Sequence, residues 1–76
     1  MDLLEFVSEV FSVDKNSLSL DTMPGDFAEW DSLGHLNLLT SLEEKYDISF
    51  DMEETMSIQS IKDLKETLIS KGIDCS

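Results

Sequence analysis

One stripe of side chains near the middle of the chain constrains the fold more than any other feature. At about 100° per residue, a helix from Ser32 or Leu33 to about Tyr46 places five residues on one narrow face: His35, Leu38, Leu39, Leu42 and Tyr46. This pattern predicts an amphipathic α-helix that packs on a core. Leu33 and Leu36 fall on the opposite side, where two outward leucines rimmed by polar residues indicate a contact surface.

Three other segments also carry helical patterns. The first runs from Met1 to about Phe11, a short weak helix spans Met52 to Met56, and the last follows a capping pattern at Ser60–Asp63 and stops near Gly72. The first and last helices are predicted to bury Leu3, Phe6, Val7, Val10, Phe11, Ile61, Leu64, Leu68 and Ile69. We expect Met52 and Met56 to fill gaps in the core. The expected fold class is all-α: a small four-helix bundle with three longer helices and one short helix, in a single domain over residues 1–76.

A long polar connection separates the first two helices. It is rich in turn formers, and the run Met23-Pro24-Gly25-Asp26 has proline and glycine at the two central positions of a type II turn. Four apolar residues punctuate the connection, and we expect them to hold it to the core: Leu18, Leu20, Met23 and Phe27. A loop of this length in a small domain is usually functional.

The run Glu29-Trp30-Asp31-Ser32-Leu33 joins this loop to the second helix. A serine at a helix start can cap the helix, because its hydroxyl accepts an unpaired backbone N–H of the first turn. A negatively charged group on the same oxygen would lie at the positive end of the helix dipole. We therefore predict that Ser32 is the N-cap, and it is the first candidate for chemistry.

Charge and cysteine usage limit the partners and the compartment. Seventeen acidic and five basic residues give a net charge of −12, which repels nucleic acid and favours proteins with basic docking patches. The sequence predicts no membrane span and no secretory signal. Cys75 is interpreted as an incidental thiol in a polar tail with nothing ordered around it, and it has no disulfide partner. These features fit a cytoplasmic monomer.

Ser32 and His35 lie three residues apart and are therefore neighbours on a helix, which raises the hypothesis of a small hydrolase. However, His35 projects toward the core stripe, and no further residue is placed to orient it as a base. A single histidine without a cysteine cluster predicts no metal site, and the carboxylates match no calcium loop. We expect a protein that is not an enzyme and binds no metal.

Three groups of residues form a recognisable combination with the acidity and the order of the helices: Asp31-Ser32-Leu33, the leucines at 36, 38, 39 and 42, and Glu43-Glu44-Lys45-Tyr46-Asp47-Ile48. In this combination the chain resembles an acyl carrier protein, from the first helix to Ile69. The resemblance implies that a phosphopantetheinyl transferase esterifies Ser32 with 4′-phosphopantetheine from coenzyme A. The thiol of that group would then hold an acyl group as a thioester.

The resemblance also implies roles for residues around Ser32. Asp31 would help the transferase to engage the serine, and Leu33 would fill a pocket on a partner enzyme. Leu36, Glu43 and Glu44 match positions that commonly contact partners. The implied partners are enzymes with basic docking patches that load acyl groups onto the carrier or transfer them from it.

Departures from the family pattern suggest a specialised carrier. Gly34 and Asn37 stand where primary fatty-acid carriers usually have acidic residues, and Trp30 replaces a small residue. These differences favour a specialised lipid, polyketide or surface-polysaccharide pathway. The run Ala28-Glu29-Trp30 does not resemble the glycine-rich approach of peptidyl carriers. Two alternatives stay open: a carrier for an aminoacyl, hydroxyacyl or peptidyl group, and an unmodified acidic module that docks on a basic protein.

Overall fold

The computed structural model describes residues 2–75, and the helices found there are α1 (Leu3–Phe11), α2 (Ser32–Tyr46), α3 (Met52–Ser57) and α4 (Ile61–Ser70). A single 3₁₀ turn, Lys15–Ser17, interrupts the long loop between α1 and α2. The predicted all-α class, with three longer helices and one short helix, is confirmed. The predicted first residue of α1, Met1, lies outside the described residues, and Asp2 caps the helix.

The apolar faces of α1, α2 and α4 meet in one core. Its buried apolar side chains are Leu3, Val7, Phe11, Leu18, Trp30, Leu38, Leu39, Leu42, Ile58, Ile61, Leu64, Leu68 and Cys75. Phe6, Val10 and Tyr46 pack against this core and are partly buried, as their stripes predict. The prediction for Ile69 is wrong, because one residue after Leu68 the helix has turned about 100° away from the core and Ile69 is exposed.

Helix α3 lies on the surface, and the prediction that its methionines fill the core is wrong. Met52 and Met56 are 79% and 72% exposed, and the helix itself buries no residue. The apolar contacts come from its two ends instead, since Phe50 and Ile58 pack on the core just before and just after it.

Polar contacts fix this short helix. Asp51 and Glu54 form a capping box, in which each side chain accepts a backbone N–H from the other residue. Lys71 lies 2.9 Å from the Glu54 carboxylate and 5.4 Å from the centre of the Phe50 ring. The Lys71 side chain therefore ties α3 to the end of α4.

The long loop makes the predicted turn. Gly25 has a φ of +95°, as the third residue of a type II turn requires, and the Asp26 N–H donates to the Met23 carbonyl at 3.1 Å. Leu18 is buried and Phe27 partly buried, which agrees with the predicted anchors.

The prediction that Leu20 and Met23 also anchor the loop is wrong, because both side chains are exposed. The backbone of the loop holds it in place instead. The carbonyls of Leu20 and Thr22 accept the N–H groups of Lys62 and Ile61 at 2.9 and 3.0 Å. These bonds pair the first-turn donors of α4, which have no partner inside their own helix.

The chain turns back onto the core after α4. Gly72 has a φ of +87° just past the helix end, and the Ile73 N–H donates to the Leu68 carbonyl at 3.0 Å. Cys75 is consequently buried against the core, so the interpretation of a thiol with nothing ordered around it is wrong. Burial raises the pKa of the Cys75 thiol, which makes it a poor nucleophile.

Residues 2–75 have the features of neither a membrane-spanning helix nor a metal site. None of the helices there has the length and apolarity that crossing a membrane requires. No group of three or more histidine, cysteine or acidic side chains in the same range could hold a metal ion.

Candidate functional site

Helix α2 begins one residue earlier than a serine cap would require. Asp31 has extended backbone angles, and its Oδ1 accepts the Gly34 N–H at 2.8 Å. Asp31 is therefore the N-cap, and the prediction that Ser32 caps the helix is wrong. Aspartate and serine are similarly good caps, so the sequence pattern alone did not separate the two neighbours.

Ser32 is the first helical residue, and capping does not occupy its hydroxyl. The residue is exposed, and within residues 2–75 its side chain has no hydrogen-bond partner. It lies at the helix end where backbone N–H groups point outward and the dipole is positive. The exposure of Ser32 and the positive helix end would both favour an anionic phosphoester on this oxygen.

A cleft of about 620 Å³ opens beside Ser32. Its walls come from the Pro24–Gly25 turn, the first turns of α2 and the end of α3. Leu36 and Met56 line it from the two helices, while Trp30 and Ile58 form its floor. The cleft is within the size range of small-molecule pockets and has a largely apolar lining.

His35 connects the three segments around this cleft. The Trp30 Nε1–H donates to His35 Nδ1 at 3.1 Å, and His35 Nε2 lies 3.0 Å from the Thr55 carbonyl oxygen. Because Nδ1 accepts a hydrogen bond, the hydrogen-bond network assigns the proton of the neutral ring to Nε2, which donates to Thr55. Both ring nitrogens are committed, so neither is free to take a proton from Ser32. This arrangement argues against the hydrolase hypothesis.

Trp30 is the residue of this site that sequence analysis missed. It is fully buried, in contact with Phe11 and Phe27 at ring-centre distances of 5.6 and 6.1 Å. Relative to the Asp31 cap, Trp30 and His35 occupy the two positions that form a hydrophobic staple, and their rings stack at 6.2 Å. The signal in the sequence is the spacing of Trp30 and His35. It indicates a hydrophobic staple only when Asp31, and not Ser32, is taken as the N-cap.

The absence of a side chain at Gly34 has a structural cause, which the resemblance to acyl carrier proteins does not suggest. A Cβ atom there would lie 2.1 Å from the Glu29 carbonyl oxygen and 3.1 Å from the Phe11 ring. The first turn of α2 therefore packs directly on the backbone of the loop. An acidic side chain at this position is excluded by space, so Gly34 carries no information about partner choice.

The predicted outward residues of α2 do face solvent. Leu33 is 77% and Leu36 53% exposed. Three polar residues on the same side are exposed with them: Asn37, Thr40 and Glu44. We call these five residues the outward stripe. Asp31 is exposed just before it, whereas Glu43 is partly buried.

The Glu43 carboxylate has a contact within the fold. Its Oε2 accepts the Phe50 N–H at 2.7 Å, which fixes the connection between α2 and α3. The structure thus brings Asp31, Ser32, Leu33 and Leu36 together at one end of α2, with Glu44 farther along the same side. Glu43 does not belong to this exposed group, because its carboxylate accepts the Phe50 N–H.

A scan against protein-family models gives no match, and a search of curated proteins gives none either. Among solved structures, the chain is similar to the solution NMR structure of the holo acyl carrier protein from Geobacter metallireducens, with a TM-score of 0.80 and 35% sequence identity. The alignment covers 91% of this chain and 79% of that one.

Proposed function

This chain belongs to the acyl carrier protein family, and from that premise we propose that it carries an acyl group on a 4′-phosphopantetheine arm attached to Ser32. A member of this family is a carrier and not an enzyme. When bound, the prosthetic group supplies a terminal thiol that holds the acyl group as a thioester. The observation that carries the proposal is the exposed, uncommitted hydroxyl of Ser32 at the start of α2.

Asp31 and Gly34 prepare this hydroxyl for modification. The Asp31 carboxylate accepts the Gly34 N–H, and this hydrogen bond spans the backbone on both sides of Ser32. Because Gly34 packs on the Glu29 carbonyl, the first turn of α2 is also fixed against the loop. A phosphopantetheinyl transferase would meet a hydrogen-bonded, closely packed helix start with the Asp31 carboxylate next to the serine.

The outward stripe is the proposed surface for partner enzymes. Leu33 projects most of its side chain into solvent next to Ser32, so it can enter an apolar pocket on a partner. Glu44 and the net charge of −12 favour a partner surface with basic residues. Glu43 is a weaker candidate for such contacts, since its carboxylate already accepts the Phe50 N–H.

We propose that this carrier serves a specialised lipid, polyketide or surface-polysaccharide pathway. Asn37 supports this proposal, because a neutral amide on the outward stripe stands where primary fatty-acid carriers usually have an acid. Gly34 does not support this proposal, because its close contact with the Glu29 carbonyl explains the glycine without reference to a partner. The change Asn37→Glu should therefore improve turnover of the holo-protein with a ketosynthase of bulk fatty-acid synthesis, and wild-type activity equal to that of a primary carrier would contradict the proposal.

The test of the carrier function has two steps. The purified protein is first incubated with coenzyme A, magnesium and a broad-specificity phosphopantetheinyl transferase, and its intact mass is measured. A gain of one phosphopantetheine supports the carrier, whereas an unchanged mass supports an unmodified docking module. The holo-protein is then offered to acyl-activating and aminoacyl-activating ligases, and the mass of the product shows which group the thiol accepts.

A further inference from the structure

We infer that the hydrogen-bonded series Trp30–His35–Thr55 closes the floor of the cleft beside Ser32 and limits this carrier to acyl groups short enough to lie in that cleft. We call this series the His35 bridge. The inference rests on the proposed attachment of the arm at Ser32. It names the class of cargo, short-chain acyl groups, and the residues that set the limit.

The floor of the cleft is sealed against the core. Trp30 and Ile58 border the cleft, yet their side chains are only 0% and 3% exposed. The core cluster that includes Trp30 and Ile58 also contains Leu38, Leu42 and Ile61, which expose nothing. An alkyl chain that extended past the cleft would have to displace Trp30 or move α3.

The His35 bridge opposes both of these movements. Displacing the ring of Trp30 would break its bond to His35 and leave an indole N–H unpaired in the interior, which is strongly unfavourable. Moving α3 would break the bond from His35 to the Thr55 carbonyl. Six residues are too few for α3 to persist without such contacts.

The cleft itself suits a short chain attached to Ser32. Ser32 lies on its edge, so a flexible arm from this residue can fold back into the cleft at high effective concentration. Leu36 and Met56 offer flexible apolar side chains that can adapt to a few methylene groups. A longer chain would leave its remaining carbons in water.

The first arm of the test measures how well each thioester is shielded. Holo-protein is charged with butanoyl or dodecanoyl groups, and the rate of cleavage by hydroxylamine is followed for each. In the wild type we expect the two rates to be nearly equal. Burial of even two additional methylenes would slow the dodecanoyl reaction by about tenfold, and such protection in the wild type would overturn the inference.

Variants of His35 test the bridge. His35→Phe keeps an aromatic ring but removes both hydrogen bonds, so we expect it to protect the dodecanoyl thioester more than the butanoyl one. His35→Leu, which also removes both hydrogen bonds, is the second variant if the phenylalanine variant does not fold. Glu66→Ala, at an exposed position on α4 away from the cleft, is the matched control. Equal cleavage rates for the two chains in a folded His35 variant would also overturn the inference.

The second arm is independent of the transferase. Ser32→Cys is alkylated with butyl or dodecyl iodoacetamide, and the emission of Trp30, the only tryptophan, is recorded with hydrogen exchange of α3. Cys75 is buried and should not react first. We expect both chains to leave the emission and exchange unchanged, whereas a shift with dodecyl alone would contradict a closed floor. Failure of the enzymatic transfer would refute the proposed function without affecting this arm.

Discussion

The Asp31 carboxylate accepts the backbone N–H of Gly34 at 2.8 Å, and this contact rather than the Ser32 hydroxyl begins α2. Two properties of the site follow from it. The hydroxyl of Ser32 is available for a covalent attachment, and modification of that oxygen does not remove the cap. A carrier that exists in both unmodified and modified forms can therefore keep the same helix start in each.

The capping assignment makes a stability prediction. Asp31→Ala should lower the free energy of unfolding by about 0.5–2 kcal/mol, the usual effect of losing an N-cap side chain. Ser32→Ala should change it by less than about 0.5 kcal/mol, as expected for an exposed residue. Urea denaturation of both variants checks this. A larger loss in Ser32→Ala than in Asp31→Ala would show that the serine is the cap after all.

Gly34 should tolerate no side chain. In Gly34→Ala the new Cβ would lie 2.1 Å from the Glu29 carbonyl oxygen, so the loop or the helix must shift. Overpacking of this kind costs about 1–3 kcal/mol, and thermal or urea denaturation would measure it. Asn37→Ala, an exposed site three residues along the same helix, is the control. A fully stable Gly34→Ala protein would mean that the loop backbone yields easily at Glu29.

Helical periodicity in the sequence predicted most of the fold correctly. The stripe that includes Leu38, Leu39 and Leu42 is buried, and Leu33 and Leu36 face outward as predicted. The prediction for Met52 and Met56 rested instead on the tendency of methionine to fill core gaps, and it is wrong because this six-residue helix lies on the surface. The prediction for Ile69 is wrong because the residue is apolar but its angle on the helix places it outside the buried stripe.

The candidate site was only partly predictable. Ser32 and its outward neighbours followed from the family pattern and the position at a helix start. The Trp30–His35 contact and the close packing of Gly34 depend on the path of a long loop, which no local pattern determines. The burial of Cys75 likewise depends on the chain turning back after Gly72, a tertiary event.

The contact between Lys71 and Glu54 should be visible in the pH dependence of stability. The hydrogen bond from Lys71, and next that from the Asp51 N–H, hold the pKa of Glu54 below its ordinary value of 4.5. A carboxyl with a lowered pKa stabilises the fold above its ordinary pKa, and that contribution disappears as the pH falls through the folded-state pKa. Glu54→Gln should therefore be less stable than the wild type at neutral pH and equal to it in acid.

The matched control for this comparison is Glu66→Gln on the exposed side of α4. It removes the same charge from an acidic protein, so it accounts for the general relief of repulsion. Urea denaturation of the three proteins from neutral to acidic pH gives the answer. A Glu54→Gln deficit that is the same at all pH values would assign the effect to packing and not to the ionised carboxylate.

Docking should combine charge attraction with one apolar anchor. Association of the carrier with its transferase should slow as salt rises, because exposed charges are screened beyond about 8–10 Å at physiological ionic strength. Leu33→Ala should act mainly on the dissociation rate, since it removes an apolar anchor that the partner would bury in the complex. Stopped-flow or surface-based kinetics separate the two effects. Rates that are indifferent to salt would contradict the electrostatic part, and an unchanged dissociation rate would remove Leu33 from the interface.

The most direct measurement is the position of the prosthetic group. Wild type, Ser32→Ala and Ser41→Ala are each incubated with coenzyme A, magnesium and the transferase, and then digested and mapped by mass spectrometry. Ser41, whose hydroxyl donates to the Asn37 carbonyl, is a control serine on the same helix. We expect one phosphopantetheine on Ser32 in the wild type and in Ser41→Ala, and none in Ser32→Ala. An unmodified wild type, or a group that remains in Ser32→Ala, would contradict the account.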